Sequence, residues 1–192
     1  MFKRRRAAKH ESWAQWAVGE HQGTGEPDLL DFAVEQAALA VDASGRRERD
    51  DRLLLLAEAL VERGESAPSG GDLEAARAML ADVWGRAGSS PPRQGRCALD
   101  TAWVLANQGI RDASVPTLDE ALEWISRSRE TFTGDRENLL RVDHTEAYAI
   151  AHRYWLTRED VDLETLRHRQ QRAAAEDDWT AVALARWYAA VL

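Results

Sequence analysis

Apolar residues fall into clusters of helical spacing along nearly the whole chain, and the clusters recur. Leu53, Leu54, Leu55, Leu56, Ala57, Ala59, Leu60 and Val61 run up to Gly64. A shift of 45 residues brings Ala98, Leu99, Ala102, Trp103, Val104 and Leu105, which run up to Gly109. Ala57 then matches Ala102, Leu60 matches Leu105 and Gly64 matches Gly109, and a second shift of 45 lands on Ala147, Ile150 and Tyr154. Each cluster predicts a helix, and each glycine reads as its stop.

A second helix follows in the same register. Asp72, Leu73 and Ala76 align with Thr117, Leu118 and Ala121, and then with Asp162, Leu163 and Leu166. The leading Asp or Thr reads as an N-cap, whose side-chain oxygen accepts an orphan backbone N–H. Thr117 and Glu120 have capping-box spacing. Leu73, Ala76, Leu80 and Val83 keep one apolar stripe, as do Leu118, Ala121 and Ile125.

Turn residues separate the helices, in the stretch from Ser66 to Gly71, from Gly88 to Gly95 and around Gly134. Helix breaks are expected near 21–27, 64–72, 88–95, 109–117, 133–140 and 157–162. An earlier pair is carried by Trp13, Trp16 and Ala17, then by Leu30, Ala33, Ala37 and Ala40 after Pro27. A ninth helix is expected from Asp178, and its stretch from Ala181 to Tyr188 echoes Ala147 to Tyr154. The pattern predicts an all-α protein of about four helical hairpins with a closing helix.

Composition supports this. Val, Ile, Thr, Phe and Tyr never gather into alternating runs, and the helix formers Ala, Leu, Glu, Arg and Gln dominate. Eight of the fourteen aromatic residues are Trp. The net charge of −8 argues against nucleic acid as a partner of the whole chain. The charge is uneven, because Lys3, Arg4, Arg5, Arg6 and Lys9 make the start basic. Residues 1–9 are therefore read as a basic flexible arm and 10–192 as the helical domain. The arm either touches phosphate or an acidic partner, or is a solvated tail. No apolar core follows it, so it does not read as a secretory signal. No apolar run approaches the roughly 18 residues that a membrane span needs. Cys97 is the single cysteine and fits a reducing, cytoplasmic setting. Lys3 and Lys9 are the only lysines among 25 basic residues, a bias that reads as the codon usage of a GC-rich bacterial genome.

The stretch from Ala57 to Gly64, followed by Gly71 to Leu80, carries a small–large–Gly…Ala–large pattern. In this the chain resembles the tetratricopeptide repeat family, in a long-loop bacterial form. The likeness covers residues 50–192 well and 10–45 loosely. The period here is longer than the family's roughly 34 residues, and the extra residues are expected between the helices. The resemblance implies a right-handed solenoid whose first helices line a concave groove. Carried over residue by residue, it assigns Glu58, Glu62, Trp103, Asn107, His144, Tyr148 and His152 to that groove, with Arg96 and Arg141 one turn earlier. Trp103 and Tyr148 either bind a peptide there or fill space between hairpins. Of the family's two-carboxylate clamp only Asn107 has a counterpart, so recognition of a chaperone C-terminus is not inferred.

Catalytic chemistry is not legible. His10, His21, His144, His152 and His168 lack zinc-protease spacing, and Gly70-Gly71 lacks the ending of a phosphate-binding loop. Cys97 reads as a small buried hydrophobe. No metal and no cofactor are expected. The function implied is a non-catalytic scaffold or adaptor that binds a protein or peptide. The alternatives are a regulatory domain that senses a signal peptide or small molecule, and an accessory subunit that presents a peptide to a modifying enzyme. Trp84 and Trp124 are expected between units. Val182, Trp187 and Val191 are expected on a helix face that a second copy covers, giving a homodimer.

Overall fold

The computed structural model describes residues 2–46, 48–66, 71–86 and 90–175. Within them the chain is all-α, without a strand. Eight helices follow one another: α1 Phe2–Thr24, α2 Asp28–Asp42, α3 Arg49–Ser66, α4 Asp72–Arg86, α5 Pro91–Arg111, α6 Val115–Thr131, α7 Arg136–Thr157 and α8 Asp160–Ala175. None is long and apolar enough to cross a membrane. The expected ninth helix, with Val182, Trp187 and Val191, lies outside the described residues.

The helices pair as four antiparallel hairpins. Arg63 near the end of α3 meets Asp72 at the start of α4, and Arg86 at the end of α4 returns to Asp50 at the start of α3. Each helix packs on the next, and each odd helix also packs on the following odd helix. Neighbouring odd helices run parallel: Glu58 and Asn107 reach Arg96 and Tyr148 on the next, 38 and 41 residues on. The even helices form a second layer, in which Trp84 of α4 and Trp124 of α6 meet edge to face at 4.9 Å. Those two tryptophans therefore pack between hairpins, as their positions suggested.

Buried apolar side chains fill the faces between the helices in four separate clusters among the described residues. Leu54, Leu80, Leu105, Leu118, Ile125 and Leu166 are each at most 2% exposed. Ala33, Ala57, Ala76, Ala102 and Ala121 are wholly buried, and these small side chains let the helices approach closely.

The glycines expected to stop helices lie inside them. A Cβ at Gly109 would stand 2.8 Å from Leu118 Cγ and 3.2 Å from its backbone nitrogen. One at Gly64 would stand 3.2 Å from Leu73. These are one contact repeated at the 45-residue period, and it needs a missing side chain rather than a special backbone angle. The helices run on past both glycines, and residues expected between the helices instead lengthen the first helix of each pair. Between α5 and α6 only Asp112, Ala113 and Ser114 remain, with Ala113 forced to φ 48°.

The expected caps are also reassigned. Ser114 caps α6, accepting from the Thr117 N–H, and Glu120 pairs with Arg77 of α4 instead of closing a capping box. The Asp72 and Asp162 carboxylates receive arginines in matching fashion. Arg63 binds Asp72 through two nitrogens and reaches Asp31 of the preceding hairpin at 2.9 Å. Arg153 binds Asp162 likewise and reaches Asp119 of its preceding hairpin at 2.6 Å. The two arrangements are 90 residues apart, two periods of the pattern. Asp162 is 1% exposed, and the planar two-point fork of Arg153 satisfies both of its oxygens. Arginine abundance thus has a structural use beyond codon bias.

The basic segment expected as an arm is part of α1. Ala7 is fully buried, and no breaker separates residues 2–9 from the apolar Ala14, Ala17 and Val18 further along the helix. The run of charge concealed that continuity.

Candidate functional site

The nine candidate positions lie on the layer of odd helices and divide into two groups. In the first, Arg96 of α5 donates to the Glu58 carboxylate of α3 at 2.6 Å. Asp100, one turn beyond Arg96, is 13% exposed, and its Oδ2 lies 3.6 Å from Arg96 Nε. Burial pushes the Asp100 carboxyl up to about 6, against the pull of Arg96 and Arg141. Glu58 and Asp100 balance Arg96 and Arg141, so this group is charge-matched within the chain.

The second group is a row of rings. Trp103 of α5 and Tyr148 of α7 lie 4.9 Å apart between centroids, at 31°. His144 stacks on the same indole at 6.0 Å and 28°. Tyr148 meets His152 edge to face at 4.7 Å, and His152 meets Trp155 at 4.7 Å. Positions 144, 148, 152 and 155 follow helical spacing and therefore share one face of α7. Trp103, Tyr148 and His152 are half-buried, whereas Trp155 is 46% exposed. Desolvation by the neighbouring rings lowers both His144 and His152 from the ordinary histidine value and so disfavours their charged forms.

Polar groups edge the row at its α3 side. The Asn107 amide donates to Glu65 at 2.7 Å and to the Trp103 carbonyl at 3.0 Å, and its oxygen accepts from the Tyr148 hydroxyl at 3.4 Å. Glu62, one turn before Glu65, accepts from Gln22 of α1 at 3.1 Å. Desolvation and the charge of Glu62 push Glu65 up to about 7, while Trp103 and Asn107 pull the other way. Among the described residues neither Glu62 nor Glu65 has a basic side chain at ion-pair distance.

Glu65 and Trp155 belong to this surface and were not among the expected residues. The signal for each was present: Glu65 follows Glu62 by three and Trp155 follows Tyr148 by seven, both helical neighbours. Reading Gly64 as a stop removed Glu65 from the helix.

Elsewhere, Cys97 is fully buried and donates to the Leu80 carbonyl at 3.2 Å. Burial and nearby Asp100 push its thiol up to about 12, which leaves it without nucleophilic character at neutral pH. Among the described residues no three His, Cys, Asp or Glu side chains group closely enough to hold a metal ion. No family model, no curated protein and no solved structure matches the chain.

Proposed function

We propose that the chain is a non-catalytic protein- or peptide-binding module built as a tetratricopeptide-like array, with the ring-bearing face of α3, α5 and α7 as its binding surface. The observation that carries this reading is the row Trp103, Tyr148, His152 and Trp155, contributed by two successive hairpins and only partly covered. Such rings offer large contact area with few rotatable bonds, and Trp and Tyr dominate binding hot spots. A row that crosses from helix to helix suits an extended segment laid across them. The array reading draws support from hairpins that touch only their neighbours and stack in parallel. In that arrangement the odd helices line the concave side, and the module acts as a scaffold or adaptor.

Selection of binding peptides from a displayed library tests this. Trp103→Ala combined with Tyr148→Ala should weaken the selected peptides by about 2 kcal/mol or more, roughly thirtyfold. Arg77→Ala combined with Glu120→Ala, on the even layer, should leave them unchanged. Circular dichroism of both variants should match the parent. Equal weakening in both variants, or loss of helix in the ring variant, overturns the proposal.

A further inference from the structure

The aromatic residues of this fold differ in what already lies over them. Lys9 stands 4.3 Å from the Trp13 ring centroid, Arg127 stands 4.5 Å from Trp124 and Arg158 stands 5.5 Å from Tyr154. Each of those rings has its cation supplied from within the chain. Among the described residues Trp103 has none over its ring. The same contrast holds for carboxylates. Glu58, Glu74, Glu120 and Glu146 are each answered by an arginine. Glu65, which meets Trp103, and Glu62, one turn before it, are held by the neutral amides of Asn107 and Gln22.

Two carboxyl groups and a half-buried indole thus meet at one edge of the ring row, and no arginine among the described residues answers the carboxyls. Glu65, pushed up to about 7, carries its full charge only above neutral pH, and a bound cation would draw it into the ionised form. An indole face attracts a cation through its quadrupole, and flanking carboxylates add Coulomb attraction. A guanidinium is the best match, because it stacks on a ring and donates in its own plane at once.

Resting on the peptide-binding reading above, we infer that the occupant of this surface is an extended basic peptide segment, with an arginine or lysine head group held between the Trp103 ring and the Glu62–Glu65 pair. The rest of the segment follows the row toward His152 and Trp155. Affinity is then salt-sensitive, since part of it is screened Coulomb attraction.

The probe is a fluorescein-labelled nonapeptide of alternating glycine and arginine, compared with glycine–glutamine and glycine–glutamate counterparts by fluorescence anisotropy. The arginine peptide should bind, and E62Q/E65Q should weaken it about tenfold or more. These changes keep the shape of both side chains, so folding is retained and circular dichroism checks it. E123Q/E130Q removes two exposed charges from α6 and should weaken binding less than about twofold. Equal losses in the two double variants mean attraction to net charge alone and overturn the inference. A preference for the glutamate peptide, or no binding of the arginine peptide at millimolar concentration, overturns it as well. If display-selected peptides still depend on Trp103 and Tyr148 in that case, the binding-surface reading stands while its basic occupant falls.

Discussion

Glu65 is the residue whose energetics say most about the surface. In the unfolded chain its carboxyl titrates near 4.5, and in the folded chain it is pushed up to about 7 by desolvation and by Glu62. Between those values the folded chain holds the extra proton. Stability from this group is therefore greatest below pH 4.5 and is lost as the pH rises through 7. Glu65→Gln keeps the acceptor for Asn107 and removes the charge. It should raise the melting temperature at pH 8 relative to the parent more than it does at pH 4.5. The difference corresponds to about 1 kcal/mol, discounted for the exposure of the side chain. The same offset at both pH values would mean that Glu65 titrates as a free carboxylate and that the local charge is not unbalanced. The Arg153 guanidinium is a contrasting case, since Asp162 and Asp119 answer its charge and hold it more firmly protonated.

At the scale of elements, the two kinds of helical glycine separate packing from propensity. Gly19 lies within α1 with nothing near a would-be Cβ. Gly19→Ala should stabilise by about 0.5–1 kcal/mol, the usual gain from removing a helical glycine. Gly109→Ala puts a methyl group 2.8 Å from Leu118 and 3.2 Å from backbone. It should destabilise by roughly 1–3 kcal/mol, because the backbone of α6 has to move away. Urea denaturation of both variants checks the pair, and stabilisation by Gly109→Ala would show that the α5–α6 crossing is soft. This contrast also explains what was legible in the sequence. The helices and their period were, because buried Leu and Ala recur at fixed intervals. Helix ends were not, because a glycine that ends a helix and one that admits a neighbour look alike along the chain. Asp72 and Asp162 were seen as caps for the same reason: the arginine that claims each lies nine residues away, across a turn. Within the candidate site, Trp103, Tyr148 and His152 are singled out only through the family resemblance, and the structure brings their rings into one row. The pairing of Arg96 with Glu58 was not legible, since it depends on how α5 sits against α3.

The hairpins are held together, among the described residues, by contacts between neighbours only. Among the described residues α1 meets α2 and α3, α3 meets α4 and α5, α5 meets α6 and α7, and α7 closes on α8. No contact among those residues ties the first hairpin to the last, the condition under which stability becomes a sum of local units and their shared faces. A lesion in one hairpin should spread to its neighbour and fade beyond it, in contrast to a domain with a single central core. Leu166 offers the sharpest test. It is fully buried on α8 and packs with Ala147, Ile150 and Ala151 of α7. Leu166→Ala should cost about 2–5 kcal/mol locally. Hydrogen exchange should then show protection lost in α7 and α8, reduced in α5 and α6, and retained in α3 and α4. Protection falling by the same factor throughout would mean that the hairpins unfold as one unit. The expected gradient has a consequence for binding. Tyr148, His152 and Trp155 sit on α7, which packs on α8 as well as on α5 and α6, whereas Trp103, Glu62 and Glu65 sit on helices that do not touch α8. The carboxylate end of the surface should therefore persist in the Leu166→Ala protein while the α7 end loosens. A basic probe would keep its dependence on Glu62 and Glu65 there, and lose its dependence on Tyr148.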